Sequence, residues 1–302
     1  TYQKGDLATG HDVLSESYGL LMMRAVKRGD RSLFDQCYSY VSRQLWTGEI
    51  LSWRKNSQTE ELSHVNAAVD DLRIIQALIF GCEIWQDKKL YHEARSLAMK
   101  LYQHNVREGY FIDTYDAQTK LQSANATLCY QNLMAFQLLG KIDFRWGKVY
   151  QNALETVQHG YLGDTLPLYQ TRKNLNTDAY ETEEINTVES LLTVLHLAEV
   201  GQAKATTISW IWQNVAQGTL FSRYDKNTGS PTTEYQSTAA YAICAIIGAA
   251  MGDEALYQAA VEHMNLYQIQ DPSSKIFGAY GNDEDESVFS FDNLYALLTF
   301  CY

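Results

Sequence analysis

Proline is nearly absent from this sequence, at three in 302 residues, and cysteine is scarce, at five; bases are outnumbered, 24 Lys and Arg against 36 Asp and Glu. With only 18 glycines besides, collagen-like and low-complexity classes are excluded. The cysteines (Cys37, Cys82, Cys129, Cys244, Cys301) are odd in number, far apart and without a CxxC pair. Four sit in apolar helical patterns, where a thiol behaves as a small hydrophobe, so a disulfide framework and a cysteine metal site are not expected. The net charge of −12 excludes nucleic acid and anionic membrane surfaces as partners and disfavours a polyanionic substrate, because phosphate binding needs clustered Lys and Arg. Neutral or cationic ligands remain. The longest apolar run, Ala239–Met251, is shorter than the roughly 20 residues of a membrane span and reads as a buried helix. Seven histidines show no HxxxH spacing, and no Ser/His/Asp or Gly-rich phosphate motif is present, so neither metal nor cofactor is expected. The chain opens at Thr1 without a signal-peptide pattern; targeting information is expected to have been removed.

An apolar fraction of 46% is ample for a core. It is organised as alternating helical patterns of two kinds. Leu33–Leu45, Leu90–Tyr102, Val149–Val157, Ala205–Val215 and Leu256–Tyr267 are amphipathic. Leu20–Val26, Ile74–Phe80, Leu128–Leu139, Val188–Val200, Ala239–Met251 and Leu294–Phe300 are apolar nearly all round, and such helices must be enclosed by others. Each apolar helix opens with a short polar segment. Markers in those segments (Glu16, Asp71, Asn125, Glu183, Gln236, Ser290) recur at steps of 55, 54, 58, 53 and 54 residues. Helical hairpins of about 54 residues, with buried inner and amphipathic outer members, predict an all-α (α/α)6 toroid, a barrel of six helical hairpins forming a single domain over residues 1–302. Five outer helices follow six inner ones, so a sixth partner is expected upstream of Thr1 or the ring is open there. Gly48–Arg54, Gly109–Asp116 and Gly218–Asp225 predict short β-hairpin loops that place aromatic residues around the mouth, at the same end as the inner-helix N-termini.

A mouth lined by carboxylates and aromatic faces suits carbohydrate, since rings stack on sugar C–H faces and acids supply hydrogen bonds and protons. Glycoside hydrolysis by two carboxylates needs one of them protonated. Glu16, beside the apolar run Tyr18–Val26, is the candidate acid, because partial burial would raise its pKa. Its plain alternative is a first-turn charge behind an N-cap at Ser15.

His11–Met22, with its Ser15-Glu16 and Tyr18-Gly19, resembles the Ser-Glu-…-Tyr-Gly-Met segment of glycoside hydrolase family 8. Arg28-Gly29-Asp30 through Phe34, Leu51-Ser52-Trp53-Arg54 and Asn66–Leu72 are similar to that family's next segments. The resemblance is good over residues 11–80 and collinear beyond. It implies an (α/α)6 fold, an inverting endo-acting glycosidase and a branch found with bacterial exopolysaccharide genes. By position it makes Glu16 the proton donor and Trp53 a sugar-stacking ring, and it aligns Asp71 with the second Asp of an Asp-Ala-Asp triplet. The first Asp of that triplet falls on Val69, so either Asp70 takes over its sugar contact or the substrate differs from cellulose. The family's base motif, Asp-Ala-x-Arg-x-Pro at the fourth inner helix, is missing. Literal matching points to Asp178-Ala179, and helix register to Glu183 or Glu184. Candidate substrate contacts are Tyr18, Trp53, Arg54, Asp70 and Asp71 in the matching segments, with Asn125 and Tyr235 at the third and fifth inner-helix openings. The expectation is a secreted or envelope-associated monomer that cuts a neutral or cationic polysaccharide of β-1,4 type. A catalytically impaired polysaccharide-binding protein and a polysaccharide lyase are the alternatives.

Overall fold

The computed structural model describes residues 11–182, 184–284 and 286–302. Among these residues the chain forms eleven α-helices: α1 Ser15–Arg28, α2 Arg31–Tyr40, α3 Ala68–Trp85, α4 Lys88–Asn105, α5 Leu133–Ile142, α6 Trp146–His159, α7 Thr187–Ala198, α8 Ala205–Gln217, α9 Thr238–Met251, α10 Glu254–Asn265 and α11 Ser290–Thr299. Odd-numbered helices carry the all-apolar segments and even-numbered ones the amphipathic segments, so the expected alternation of six inner and five outer helices is present. Burial follows the two patterns. In α9 every residue from Thr238 to Gly248 is buried, whereas α4 buries Leu90, Ala94, Ala98 and Leu101, a single stripe at helical spacing. The expected outer helix Leu33–Leu45 is α2 followed by a π-helical turn at Val41–Leu45, which keeps Val41 and Leu45 on the buried side.

Three of the turns between inner and outer helices are built alike. Gly29, Gln86 and Gly252 end α1, α3 and α9 in the left-handed conformation. The next residue is Asp each time: Asp30, Asp87 and Asp253 cap α2, α4 and α10 by accepting from the backbone N–H of Leu33, Lys89 and Leu256. The inner helices begin differently. Leu14, not Ser15, is the N-cap of α1, and neither it nor Ala67 before α3 offers a side-chain cap. Instead the first helical N–H is taken by a carbonyl of the following connection: Ser15 to Trp53 at 3.0 Å, Ala68 to Asp113 at 2.9 Å, Leu128 to Thr171 at 2.9 Å and Thr187 to Ser222 at 3.1 Å. Short antiparallel pairings reinforce these links, residues 13–14 with 54–55, 125–127 with 172–174 and 184–186 with 223–225. Of the expected hairpin loops, Gly109 turns a short hairpin, 106–107 paired with 110–111, and Gly48 lies inside a Trp46–Leu51 bridge, while the longer-range pairings brace inner-helix openings against the next connection.

The third inner segment departs from expectation. Leu128–Tyr130 is a 3-10 turn, and α5 starts only at Leu133. The Gln131 side-chain amide donates to the Thr127 carbonyl at 3.0 Å, the group an α-helix would pair with the Gln131 N–H; that N–H turns to Leu128 instead.

By its contacts the chain divides into two compact units. One holds the chain through Ala124 with Ala135–Tyr150 and Cys301; the other holds Asn125–Met134, Gln151–Phe300 and Tyr302. In the first, α3 packs between α1 and α4, and α2 lies on α1. In the second, α9 is the centre, in contact with α7, α8, α10 and α11. A Cβ on Gly248 of α9 would stand 2.8 Å from the Tyr257 backbone nitrogen in α10. Gly248→Ala is therefore expected to destabilise the protein by about 1–3 kcal/mol through overpacking, read as a lower urea midpoint with an unchanged slope.

Candidate active site

The acidic residues around α1 and α3 form one cluster within the first unit. The strand at residues 13–14 runs directly into α1 and puts Ser15 and Glu16 in its first turn. Ser15, fully buried, donates its hydroxyl to Asp70 Oδ2 at 2.8 Å. Arg73, one turn further along α3, donates to Asp70 Oδ1 at 3.0 Å. The Arg73 side chain crosses α1 at Gly19, where an added Cβ would lie 3.3 Å from Arg73 Cδ. Both oxygens of Asp70 are thus held by the protein, and its carboxyl is only 4% exposed, so the sequence expectation of a sugar contact at Asp70 gives way here to a structural link between two inner helices.

Glu16 lies beside this link, and its carboxyl receives no hydrogen bond from any described residue. Desolvation and then the neighbouring Asp70 charge push its pKa up to about 7, with Arg73 pulling the other way. Asp71 is buried; Asn66 donates to its Oδ2 at 2.7 Å, its Oδ1 has no hydrogen-bond partner among the described residues, and burial raises its pKa well above the usual range. Asn66 ties the same point to Asn105 at 2.9 Å and to the Tyr115 backbone N–H at 2.8 Å.

Trp53 and Arg54 follow from the same connection. Arg54 stacks its guanidinium 5.4 Å from the Trp53 ring centroid and lies 3.7 Å from Asp12. Next to Arg54 is an open groove of about 1070 Å³ whose lining includes Trp46, Asn56, Glu61, His64 and Asp116. Trp46 and His64 were not singled out in the sequence; Trp46 ends an outer-helix pattern and reads there as core. Tyr18, a candidate contact, stacks face to face on Tyr40 of α2, with ring centroids 4.7 Å apart. That contact belongs to helix packing.

In the second unit, Asp178 has φ 58° at the turn of the hairpin 172–174/179–181, and its side chain is 85% exposed. Lys173 pairs with it at 2.7 Å and holds its pKa below the usual carboxylate value. Glu183 lies outside the described residues. Glu184 is bound by Arg223 and by the Thr232 hydroxyl. Asn125 is half-buried in the strand 125–127, and Tyr235, 81% exposed, stands on the connection before α9. A carboxylate that the sequence did not single out is Glu189, in the first turn of α7. It is half-buried, desolvation raises its pKa against the pull of Arg223 and Arg172, and no described residue hydrogen-bonds its carboxylate. Its signal was its place, third in an inner helix, as Asp70 is in α3. Among the described residues no group of three His, Cys, Asp or Glu could hold a metal.

The sequence profile of Glycosyl hydrolases family 8 matches residues 4–118. The chain also superimposes over 99% of its length on a solved structure described as a novel alpha-amylase from Clostridium perfringens, covering 90% of that chain at 30% identity and a TM-score of 0.92. This chain belongs to glycosyl hydrolase family 8. The all-α (α/α)6 class expected from the 54-residue period is the fold of its family-8 neighbours, and the protein is a glycoside hydrolase. "Putative lipoprotein YdaJ" of Bacillus subtilis is 28% identical over 303 residues, 98% of this chain and 80% of that protein. Endoglucanase A of Acetivibrio thermocellus is 32% identical over 114 residues, 35% of this chain and 24% of that protein.

The Glu16 carboxyl has a stability signature. Its folded pKa, about 7, lies above the ordinary glutamate value of 4.5. Below pH 4.5 both states hold the proton and nothing is lost; as pH rises toward and through 7, the folded state must either keep a proton that the unfolded state has released or bury a charge. Glu16→Gln is therefore expected to unfold at a higher temperature than wild type at pH 8, with the difference vanishing near pH 4, in paired thermal melts.

Proposed function

We propose that this glycosidase cleaves internal bonds of a neutral or cationic polysaccharide with inversion, with Glu16 as the proton donor. The observation that carries this reading is the carboxyl of Glu16: desolvated, next to Asp70, and protonated near neutrality. As the glycosidic bond breaks, Glu16 gives its proton to the leaving oxygen; a second, ionised carboxylate takes a proton from the attacking water. The half-buried Trp53–Arg54 edge and the groove beside it offer a ring face and polar groups to the sugar chain. Asp178 and Glu183 are the candidates that the sequence supplies for the base. Glu189 meets the chemical requirement better than Asp178, since a base must be shielded with an oxygen free for water and desolvation raises its proton affinity, while Asp178 is open to solvent and ion-paired.

Two linkages compete. The β-1,4 type rests on the endoglucanases matched over the first third of the chain. An α-linked glucan is favoured by the amylase relative that matches throughout, and by Val69, which stands where the cellulose-cleaving pattern has its first Asp. A single domain acting as a monomer outside the cell or at its envelope fits the reading. No helix among the described residues is long and apolar enough to cross a membrane, and a full-length relative is named as a lipoprotein.

Release of reducing ends from soluble starch, hydroxyethylcellulose and chitosan tests both points. Wild type should act on one of them, and Glu16→Gln should lose at least about a thousandfold, the scale of a general acid. Equal rates for the two proteins would remove Glu16 from the role, and an unsaturated product absorbing in the ultraviolet would make the enzyme a lyase. Binding without turnover would make it a binding protein. Anomeric NMR of the first product should show inversion. For the base, Glu189→Gln should fall by several orders of magnitude while Asp178→Asn stays within about tenfold; the reverse order would return the role to Asp178.

A further inference from the structure

Glu16 and Asp70 are two neighbouring carboxyls on adjacent inner helices, and two such groups that share a desolvated site do not both ionise readily. One proton is left to the pair near neutrality, and it can reside on either carboxyl. Only when it sits on Glu16 can Glu16 act as an acid, so the reading above depends on something that decides between them.

The hydrogen bonds around the pair are one-sided. Asp70 accepts from the Ser15 hydroxyl at 2.8 Å and from the Arg73 guanidinium at 3.0 Å. Glu16 accepts from no described residue. Donors aimed at a carboxylate favour its charged form, and a guanidinium does so more strongly than a hydroxyl. Arg73 is also seated. It leaves α3 one turn beyond Asp70 and lies across the bare backbone of Gly19, so its head is directed back to Asp70 rather than out into solvent. Its side chain is 12% exposed.

We infer that Arg73 is a positioning residue that allocates the shared proton: by holding Asp70 ionised, from a seat across α1 that the bare backbone of Gly19 leaves open, it leaves the proton on Glu16. Ser15 assists from the other oxygen. The charged groups facing Glu16 are Asp70, which raises its proton affinity, and Arg73, which lowers it directly; burial raises the Asp70 pKa too, and Arg73 and then the Ser15 hydroxyl are what pull it down. The net effect of Arg73 on the donor therefore depends on Asp70 being present.

This inference rests on Glu16 as the acid, and its decisive measurement needs no substrate. In protein carrying 13C at the Asp and Glu carboxyls, assigned with Glu16→Gln and Asp70→Asn, the wild type at pH 6 should show Glu16 Cδ at its protonated shift and Asp70 Cγ at its ionised shift. Arg73→Met should move the two signals in opposite directions, Asp70 toward protonated and Glu16 toward ionised. Arg73→Lys should restore much of the wild-type pattern. Asp70→Asn removes the repulsion, so the Glu16 titration should move to lower pH by on the order of one unit or more. In turnover, Arg73→Met should lower kcat with KM nearly unchanged, and Gly19→Ala should act in the same direction. Should Arg73→Met fail to fold, Gly19→Ala carries the same carboxyl readout. The inference is overturned if the wild-type proton sits on Asp70, or if Arg73→Met, or Gly19→Ala in its place, leaves both carboxyl signals where they were. Correct allocation in a protein whose Glu16→Gln variant keeps full activity would instead sink the catalytic reading and leave the allocation standing.

Discussion

Everything at the site depends on how an inner helix is started. Helix N-termini leave N–H groups without partners, and an inner helix cannot leave them to water. The outer helices α2, α4 and α10 solve this with Asp caps. The inner helices α1, α3 and α7 have their first N–H taken by a carbonyl from the next connection, at Trp53, Asp113 and Ser222. Each of those bonds ties one hairpin to its successor. α1 and α3 have no capping side chain, and α7 adds Asn186, which accepts from the Glu189 N–H; the first helical residues are held in place by the neighbouring connection. Their side chains are then free for other work: the Ser15 hydroxyl reaches Asp70, and the Thr187 hydroxyl reaches the Phe221 carbonyl at 2.6 Å.

Burial supplies the chemistry. A carboxyl in the first turn of an exposed helix would be stabilised as an anion by the helix dipole. Beside the apolar body of α1 and next to Asp70, desolvation wins over that effect and over Arg73, and the group retains its proton near neutrality. Glu189 in α7 shows the same competition, with two arginines on the opposing side. Asp178, on an exposed turn with a lysine partner, shows the reverse. The difference among these three carboxylates is one of surroundings, which residue type alone does not carry.

Much of the architecture was legible because its signal is periodic. Apolar residues on all sides of α9, a single stripe along α4 and a repeat near 54 residues each state how a segment must be covered, and the helices fall where those patterns lie. The 3-10 turn before α5 was not legible, because it depends on one amide, Gln131, competing for one carbonyl. Glu16, Trp53, Arg54 and Asp71 were singled out by local pattern, and the structure sets Glu16 and Asp71 beside Asp70. Arg73 and Glu189 were passed over: each sits on an inner helix whose neighbours are apolar, and the meaning of each comes from partners distant in the chain. Tyr18 and Asp70 were read as sugar contacts, but their side chains turn toward Tyr40 and toward Ser15 and Arg73.

The sequence by itself determined the helical alternation, the repeat length, the absence of a membrane span and the placing of a glutamate at the opening of the first inner helix, since each follows from residue order along one segment. Only the tertiary structure decided what that glutamate is. Its protonation depends on Asp70 and Arg73, more than 50 residues away, and on the seat that Gly19 leaves for an arginine. Proton affinity is set by desolvation and by charges within a few ångströms, and those distances exist only after the hairpins have packed.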